Sequence, residues 1–188
     1  MKVEKATLRR KFLLLRKINY SKKKFFNFSL IFQLIRKHFS KKKIKIACYY
    51  PSNYEVDIFH FVKKAEKRKF KIALPVIGVK SAMTFRSWSF NEPLNINQFG
   101  IPEPKKTNKK VIPDLILVPL VAFDKKLNRI GYGKGYYDRI LKKIKKNKKR
   151  VISLGVGYAN QECSSIPINK HDFKLDYIFT EHGIISSK

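Results

Sequence analysis

The sequence predicts an α/β protein, a single three-layer α/β/α domain over residues 1–188 built on a mainly parallel sheet. Three observations predict it. Segments of helical periodicity alternate with short apolar runs rich in β-forming residues, the pattern of strands joined by crossover helices. A chain of 188 residues that is 44% hydrophobic and 13% aromatic can bury one sizeable core. No internal repeat and no linker-like composition divides it.

The elements follow in order. Residues 3–18 carry Leu8, Phe12, Leu15 and Ile18 at helical spacing, an amphipathic helix. Phe28, Leu30, Ile31, Leu34 and Ile35 repeat that spacing between Phe25 and Phe39, with Ser21 as a candidate cap. Ile44–Tyr50 is a β-rich apolar run ended by Pro51, and residues 55–68 return to helix. Strands are expected over 70–76, 83–90, 115–118, 151–156 and 177–180, and a helix over 138–149. Residues 91–113, rich in Asn, Pro and Lys, read as mostly irregular. In a parallel sheet ligands bind beyond the carboxyl ends of strands, which points to residues 49–55 and 119–138.

Charge bounds the partners. There are 43 Lys and Arg against 13 Asp and Glu, a formal charge of +30. An excess of that size draws phosphates. The cations are nevertheless scattered along the whole chain, with the densest runs at 22–24, 41–43 and 142–149. Lys, Ile, Asn, Phe and Tyr all have A/T-rich codons, so we read the bias as compositional drift plus an anionic small ligand, with no specific nucleic-acid partner. No membrane partner is expected, because no 18-residue apolar run or signal core is present. Cys48 and Cys163 have no metal-ligand spacing and read as free thiols. Together these features predict a cytoplasmic protein. His38, His60, His171 and His182 show no ligand spacing and no nucleophile partner, which excludes triad and metal-hydrolase chemistry.

The strongest local signal is Arg129-Ile-Gly-Tyr-Gly-Lys-Gly-Tyr-Tyr-Asp138. Glycines at alternate positions let the backbone approach a ligand, and N–H groups opening onto a helix form an anion site. Arg129 and Lys134 add positive charge, and Asp138 either caps the helix or holds a cation. The competing reading is a tight turn with a capping Asp. The spacing matches neither the P-loop nor the dinucleotide fingerprint. Lys5 and Arg9 share one helix face. Glu55, in Tyr50-Pro-Ser-Asn-Tyr-Glu55, either bonds an amino-pyrimidine edge or caps a helix. Phe99, before Gly100-Ile-Pro-Glu-Pro104, either stacks a ring or anchors its loop. His171-Asp172, close to Asp176, forms an acidic cluster open to a metal or a capping role.

Taken in order, these motifs resemble the 5-formyltetrahydrofolate cyclo-ligase family, also called methenyltetrahydrofolate synthetases. The set is Lys5-xx-Leu-Arg9, Tyr50-Pro51, Glu55-Val-Asp57, Leu74-Pro-Val76, Gly100-Ile-Pro-Glu-Pro104, Pro119-Leu-Val-Ala-Phe-Asp124, the glycine motif, Gly157-Tyr158, His171-Asp172 and Thr180-Glu181. The resemblance runs from about residue 3 to 185 and implies a single α/β/α fold. It implies Mg-ATP-dependent conversion of 5-formyltetrahydrofolate, free or polyglutamylated, to 5,10-methenyltetrahydrofolate with release of ADP and phosphate. The formyl oxygen would attack the γ-phosphoryl group and N10 would then close the ring, with no protein nucleophile. By motif, Lys5, Ala6, Thr7, Leu8 and Arg9 with Arg129, Ile130, Gly131, Tyr132, Gly133, Lys134, Gly135, Tyr136 and Tyr137 would bind ATP. Lys134, Arg129 and Tyr136 would serve catalysis, and Tyr50, Glu55, Phe99 and Tyr136 the folate. Asp138 and Asp172 would hold Mg2+, and the protein would act as a monomer. The alternative is a basic nucleic-acid-binding protein on a degenerate version of this fold.

Overall fold

A seven-stranded sheet organises the molecule, in the order β11-β10-β9-β6-β1-β2-β3. The structure, a computed structural model, describes residues 2–187 apart from 21, 23, 41, 42, 79–81 and 149. In chain order the helices are α1 (Lys2–Asn19), α2 (Ser29–His38), α3 (Phe59–Lys67) and α4 (Tyr136–Asn147). The sheet strands are β1 (Lys45–Ala47), β2 (Lys71–Ile77), β3 (Met83–Ser87), β6 (Leu115–Pro119), β9 (Ile152–Val156), β10 (Tyr177–Thr180) and β11 (Gly183–Ser186). Two small hairpins stand apart: β4 (Asn95–Ile96) with β5 (Pro102–Glu103), and β7 (Ala122–Phe123) with β8 (Arg129–Ile130).

The five inner strands, β2-β1-β6-β9-β10, are parallel, and β3 and β11 close the edges antiparallel. Their side chains alternate between two cores, as a pleated strand requires. Ile46, Cys48, Leu115, Leu117, Ile152 and Leu154 face α2 and α3. Ala47, Ile116, Val118 and Ile178 face Leu141 and Ile144 of α4. The three expected layers are therefore present. On α2, Ile31, Phe32, Leu34 and Ile35 are buried, each stabilising by about 1.5–3 kcal/mol relative to exposure. The fourth helix, α1, packs on β7, β8 and Ile166 through Phe12.

The chain departs from its expected boundaries at several places: β1 ends at Ala47 rather than Tyr50, β3 at Ser87 rather than residue 90, α4 spans Tyr136–Asn147 rather than 138–149, and β11 is unexpected. Helix α2 begins at Ser29 rather than Phe25, where Asn27 Oδ1 accepts the Ser29 N–H at 3.2 Å. Ser21, its expected cap, lies outside the described residues, as do Lys23, Lys41, Lys42 and Lys149 of the basic runs. Helix α3 begins at Phe59 rather than residue 55, because Asp57 Oδ1 takes the Phe59 N–H and Glu55 closes a separate turn onto Ser52. Residues 119–138, where a ligand is expected beyond the central strand, contain the β7–β8 hairpin. On α1 the buried face also differs: Ile18 is 59% exposed, and Arg16 occupies the buried position beside Phe12.

This topology sets the site. The chain lays β2 on one side of β1 and then β6 on the other. Connections leaving β1 and β6 diverge, so a crevice opens at their carboxyl ends. Into it run Cys48–Glu55 from β1 and the hairpin and glycine loop from β6. Helix α1 lies across the same end.

Candidate active site

Glu55 stands at the floor of the crevice and is buried. Its Oε2 accepts the Ser52 N–H at 3.0 Å, and its Oε1 accepts the Tyr132 hydroxyl at 2.9 Å. Tyr132 in turn accepts from Arg16 Nη2 at 2.5 Å, while Arg16 Nη1 donates to the Leu120 carbonyl at 3.2 Å. Arg16 is 1% exposed, and its Nε has no partner. Burial pushes the Glu55 carboxyl above its ordinary range, opposed by the Ser52 N–H, the Arg16 charge and the Tyr132 hydroxyl. Burial, and then the Glu55 charge, raise the Tyr132 and Tyr137 phenols, which stay protonated at neutral pH.

The glycine loop opens directly onto α4. Gly133 and Gly135 take left-handed φ values of +94° and +67°, the second at the α4 N-cap. The Arg9 guanidinium lies against Gly133, where an added Cβ would stand 3.2 Å from it, and Arg9 Nε donates to the Gly131 carbonyl at 2.7 Å. A glycine is therefore required at 133 both for its backbone angle and for the close approach of Arg9. Lys134 is exposed at the loop tip, its carbonyl accepting from Arg139 Nη2. The N-terminal dipole of α4 and these cations make the loop electropositive.

Two carboxylates flank the loop. Asp138, in the first turn of α4, accepts at Oδ1 from Arg129 Nη1 at 2.8 Å and from the Phe173 N–H at 3.1 Å. Burial lowers the pKa of Arg129 and the neighbouring Asp138 charge raises it; the guanidinium remains charged. Asp172 Oδ2 accepts from Lys5 Nζ and from the Asn169 N–H. Asp176 leaves this group. It bonds Lys145 and Ser153 farther along α4 and β9, so the expected acidic cluster is split. These bonds occupy one oxygen of Asp138 and one of Asp172. Among the described residues no three His, Cys, Asp or Glu side chains gather as a metal nest. A cation there would have to complete its shell from a ligand's oxygens and water.

Aromatic side chains form the other wall. Phe99 and Tyr136 meet edge to face with centroids 6.4 Å apart, and Arg139 lies 5.4 Å over Tyr136. The Phe99 loop is held by Glu103, whose Oε2 accepts from the Ile77 N–H and from Asn97. Tyr50 turns toward Phe59, their rings edge to face with centroids 5.1 Å apart. Ala6 and Thr7 face outward, Thr7 donating to the Val3 carbonyl, and Leu8 and Ile130 pack in the α1 core. The structure thus brings together Lys5, Arg9, Glu55, Arg129, Tyr132, Asp138 and Asp172 from four segments of chain. Sequence reading missed Arg16. Its available signal was a position four residues after Phe12, on the buried stripe of an amphipathic helix.

An open α/β fold, a crevice at the strand-order switch and an electropositive glycine loop paired with carboxylates define a class of phosphate-handling enzyme. Within that class the chain belongs to the 5-formyltetrahydrofolate cyclo-ligase family, whose model it matches over residues 1–181. It is 34% identical over 136 residues to 5-formyltetrahydrofolate cyclo-ligase of Haemophilus influenzae, covering 69% of this chain and 72% of that one. It is 32% identical over 160 residues to a probable 5-formyltetrahydrofolate cyclo-ligase of Schizosaccharomyces pombe, covering 77% and 78%. The NMR structure of Aquifex aeolicus 5,10-methenyltetrahydrofolate synthetase superposes with a TM-score of 0.71 at 30% identity, covering 97% of this chain and 92% of that one. A 5,10-methenyltetrahydrofolate synthetase from Mycoplasma pneumoniae shares the fold, with a TM-score of 0.68 at 23% identity and coverage of 93% and 97%. The protein is accordingly an ATP-dependent enzyme of folate one-carbon metabolism.

Proposed function

We propose that residues 1–188 work as one catalytic domain that cyclises 5-formyltetrahydrofolate to 5,10-methenyltetrahydrofolate at the expense of ATP. The observation that carries this reading is the seating of Arg9 on the Gly131–Gly133 backbone at the start of α4. It leaves loop N–H groups and cations convergent on one small volume, an arrangement suited to a triphosphate. In this reading Lys5, Arg9 and Lys134 with the loop 129–137 hold the phosphates. Glu55, kept in place by Tyr132 and Arg16, accepts the N–H edge of the pterin. Phe99 and Tyr136 line its ring.

The chemistry needs positioning and charge neutralisation rather than a protein nucleophile. The formyl oxygen attacks the γ-phosphorus, the bond to the bridging oxygen breaks, and ADP leaves. N10 then attacks the formyl carbon and loses its proton, the carbon–oxygen bond breaks, and phosphate departs with the electron pair. Arg129 and Lys134 neutralise the charge that spreads over the transferring group. Asp138 and Asp172, each with one oxygen outside its bonds in the fold, suit Mg2+, which takes one or two carboxylates and fills its shell from phosphate oxygens and water. Bound there, the ion would screen the phosphate charge.

The test follows methenyl product by absorbance with and without ATP, for wild type and Asp138→Asn. Asn keeps the bond to Arg129, which an alanine would leave as a buried unpaired cation. Wild type is expected to form product only with ATP, and the variant to lose activity by at least about a hundredfold with its thermal transition retained. Product formed without ATP would sink the reaction assignment. Full activity in Asp138→Asn would remove that carboxylate from it.

A further inference from the structure

Part of the chain's exposed positive charge lies at the end of the fold away from the crevice. All five parallel strands start at one end of the sheet, opposite the crevice, and α2, α3 and α4 finish there. Three bonds tie that end together: His38 to Tyr177, Lys148 to Asp114, and Lys145 to Asp176. Exposed on it are Lys37, Lys45, Lys69, Lys71, Arg150 and Lys174. The carboxylates found there are already used by the fold. Glu66 accepts the Phe90 N–H, Glu92 the Ser89 N–H and Asn108, Asp114 pairs with Lys148, and Asp176 with Lys145.

Helix dipoles favour cations in the last turns of α2, α3 and α4, which accounts for Lys37. They do not account for Lys45, Lys71, Arg150 and Lys174, which stand at or just before strand starts, nor for Lys69 in the turn after α3. Among the described residues only Glu66 and Glu92 remain there as carboxylates without an ion pair, so the six exposed cations outnumber them and repel one another in the free protein. An anionic partner would relieve that repulsion. A groove of about 420 Å3 opens in the same face and offers donors from His38, Lys174, Tyr177, Ser186 and Ser187 beside Asp176.

We propose that this face binds the phosphate backbone of duplex nucleic acid without regard to sequence, independently of the catalytic site. The exposed large aromatics among the described residues, Tyr20, Phe25, Tyr54, Phe99 and Tyr132, belong to other parts of the molecule. The face therefore lacks the stacking platform that unpaired bases use. Ile112 is its one large exposed apolar side chain among the described residues, too little to anchor in a bilayer. Backbone charge is the chemistry left to it.

The experiment measures binding of a short fluorescein-labelled RNA duplex by anisotropy, across about 50–200 mM salt. It compares wild type with two variants that each remove four cations. One carries Lys69→Gln, Lys71→Gln, Arg150→Gln and Lys174→Gln. The other carries Arg10→Gln, Lys11→Gln, Lys17→Gln and Lys22→Gln, on and just after α1 at the crevice end. Turnover confirms that each variant is folded. The first variant is expected to bind at least about tenfold more weakly, with the slope of log K against log salt reduced by about three. The second is expected to stay within about twofold of wild type. Equal losses in both variants would mean that net charge, not this face, attracts the duplex. Absence of salt-sensitive binding by wild type, or tighter binding to phosphatidylserine vesicles than to the duplex, would overturn the proposal as well.

Discussion

At Glu55 the demands of folding and of binding conflict. Burial raises its carboxyl above the ordinary value of 4.5 despite the help of Ser52, Arg16 and Tyr132. A raised carboxylate favours the folded state only while protonated. That contribution is present below about 4.5 and is lost as pH climbs through the raised value, so at neutral pH the ionised side chain burdens the fold. Glu55→Gln removes the charge but sets its amide N–H against the Ser52 N–H. Its melting temperature relative to wild type is therefore expected to be higher at neutral pH than at pH 4.5. The same variant should lose about ten- to hundredfold in kcat/KM for the folate, because an amide offers one acceptor where two are needed. Melting curves at several pH values and steady-state kinetics check both halves. A difference in melting temperature that does not change with pH would show that Glu55 is not the group titrating. Glu55 itself was legible from its turn after an apolar strand. Arg16 was not, because a single buried arginine in a helix full of exposed ones leaves no mark in composition.

Among the elements, the glycine loop separates backbone need from mere openness. Gly131 has no left-handed φ, and an added Cβ there would meet nothing within 4 Å. Gly133, at φ +94°, would press that Cβ against Arg9. Forcing an L residue into left-handed backbone costs about 1–2 kcal/mol. Gly133→Ala is therefore expected to lose about that much stability in urea unfolding, and Gly131→Ala no more than about 0.5 kcal/mol. Equal losses would mean that the backbone angles are not what holds the loop. The loop was legible because alternate glycines before a helix have few other uses. The β-strands were legible for a related reason: Leu115–Val118 and Ile152–Val156 are buried on both faces, so the first reads as an unbroken apolar run and the second as one interrupted only by the small Ser153 and Gly155. Helix starts were less so. Phe28 and Ile58 occupy the N-cap positions of α2 and α3 without a side-chain cap bond, and the side chains that take the first helical N–H, Asn27 and Asp57, stand one residue earlier, where the usual spacing does not look for them. The two-residue strands β7 and β8 are too short to carry a period, and only tertiary packing under Phe12 defines them.

For the whole molecule, charge sets the balance. Ion pairs link Lys5 to Asp172, Lys24 to Glu181, Arg129 to Asp138, Lys145 to Asp176 and Lys148 to Asp114. Partly exposed pairs contribute roughly 0–1 kcal/mol each, and salt weakens them. Against them stands a net charge of +30, whose self-repulsion salt also weakens. The excess cations far outnumber the pairs, so relief of repulsion should win. Raising sodium chloride from about 0.05 to 0.5 M shortens the screening length from roughly 14 to 4 Å, below the spacing of most surface charges. Relief of about 1 kcal/mol moves Tm by about 2–4 °C in a chain of this size, and a rise of at least that is expected. The location of the repulsion can be read from the same melts. Removing Lys69, Lys71, Arg150 and Lys174 takes charge from a face whose carboxylates are already bonded, so it should raise the low-salt Tm and flatten its salt dependence. Removing Arg10, Lys11, Lys17 and Lys22, at the end that holds Glu55, Asp138 and Asp172, should do so less. A Tm that falls with salt would mean that the ion pairs dominate. Equal flattening in both variants would mean that the repulsion is spread over the whole surface rather than gathered where the strands begin.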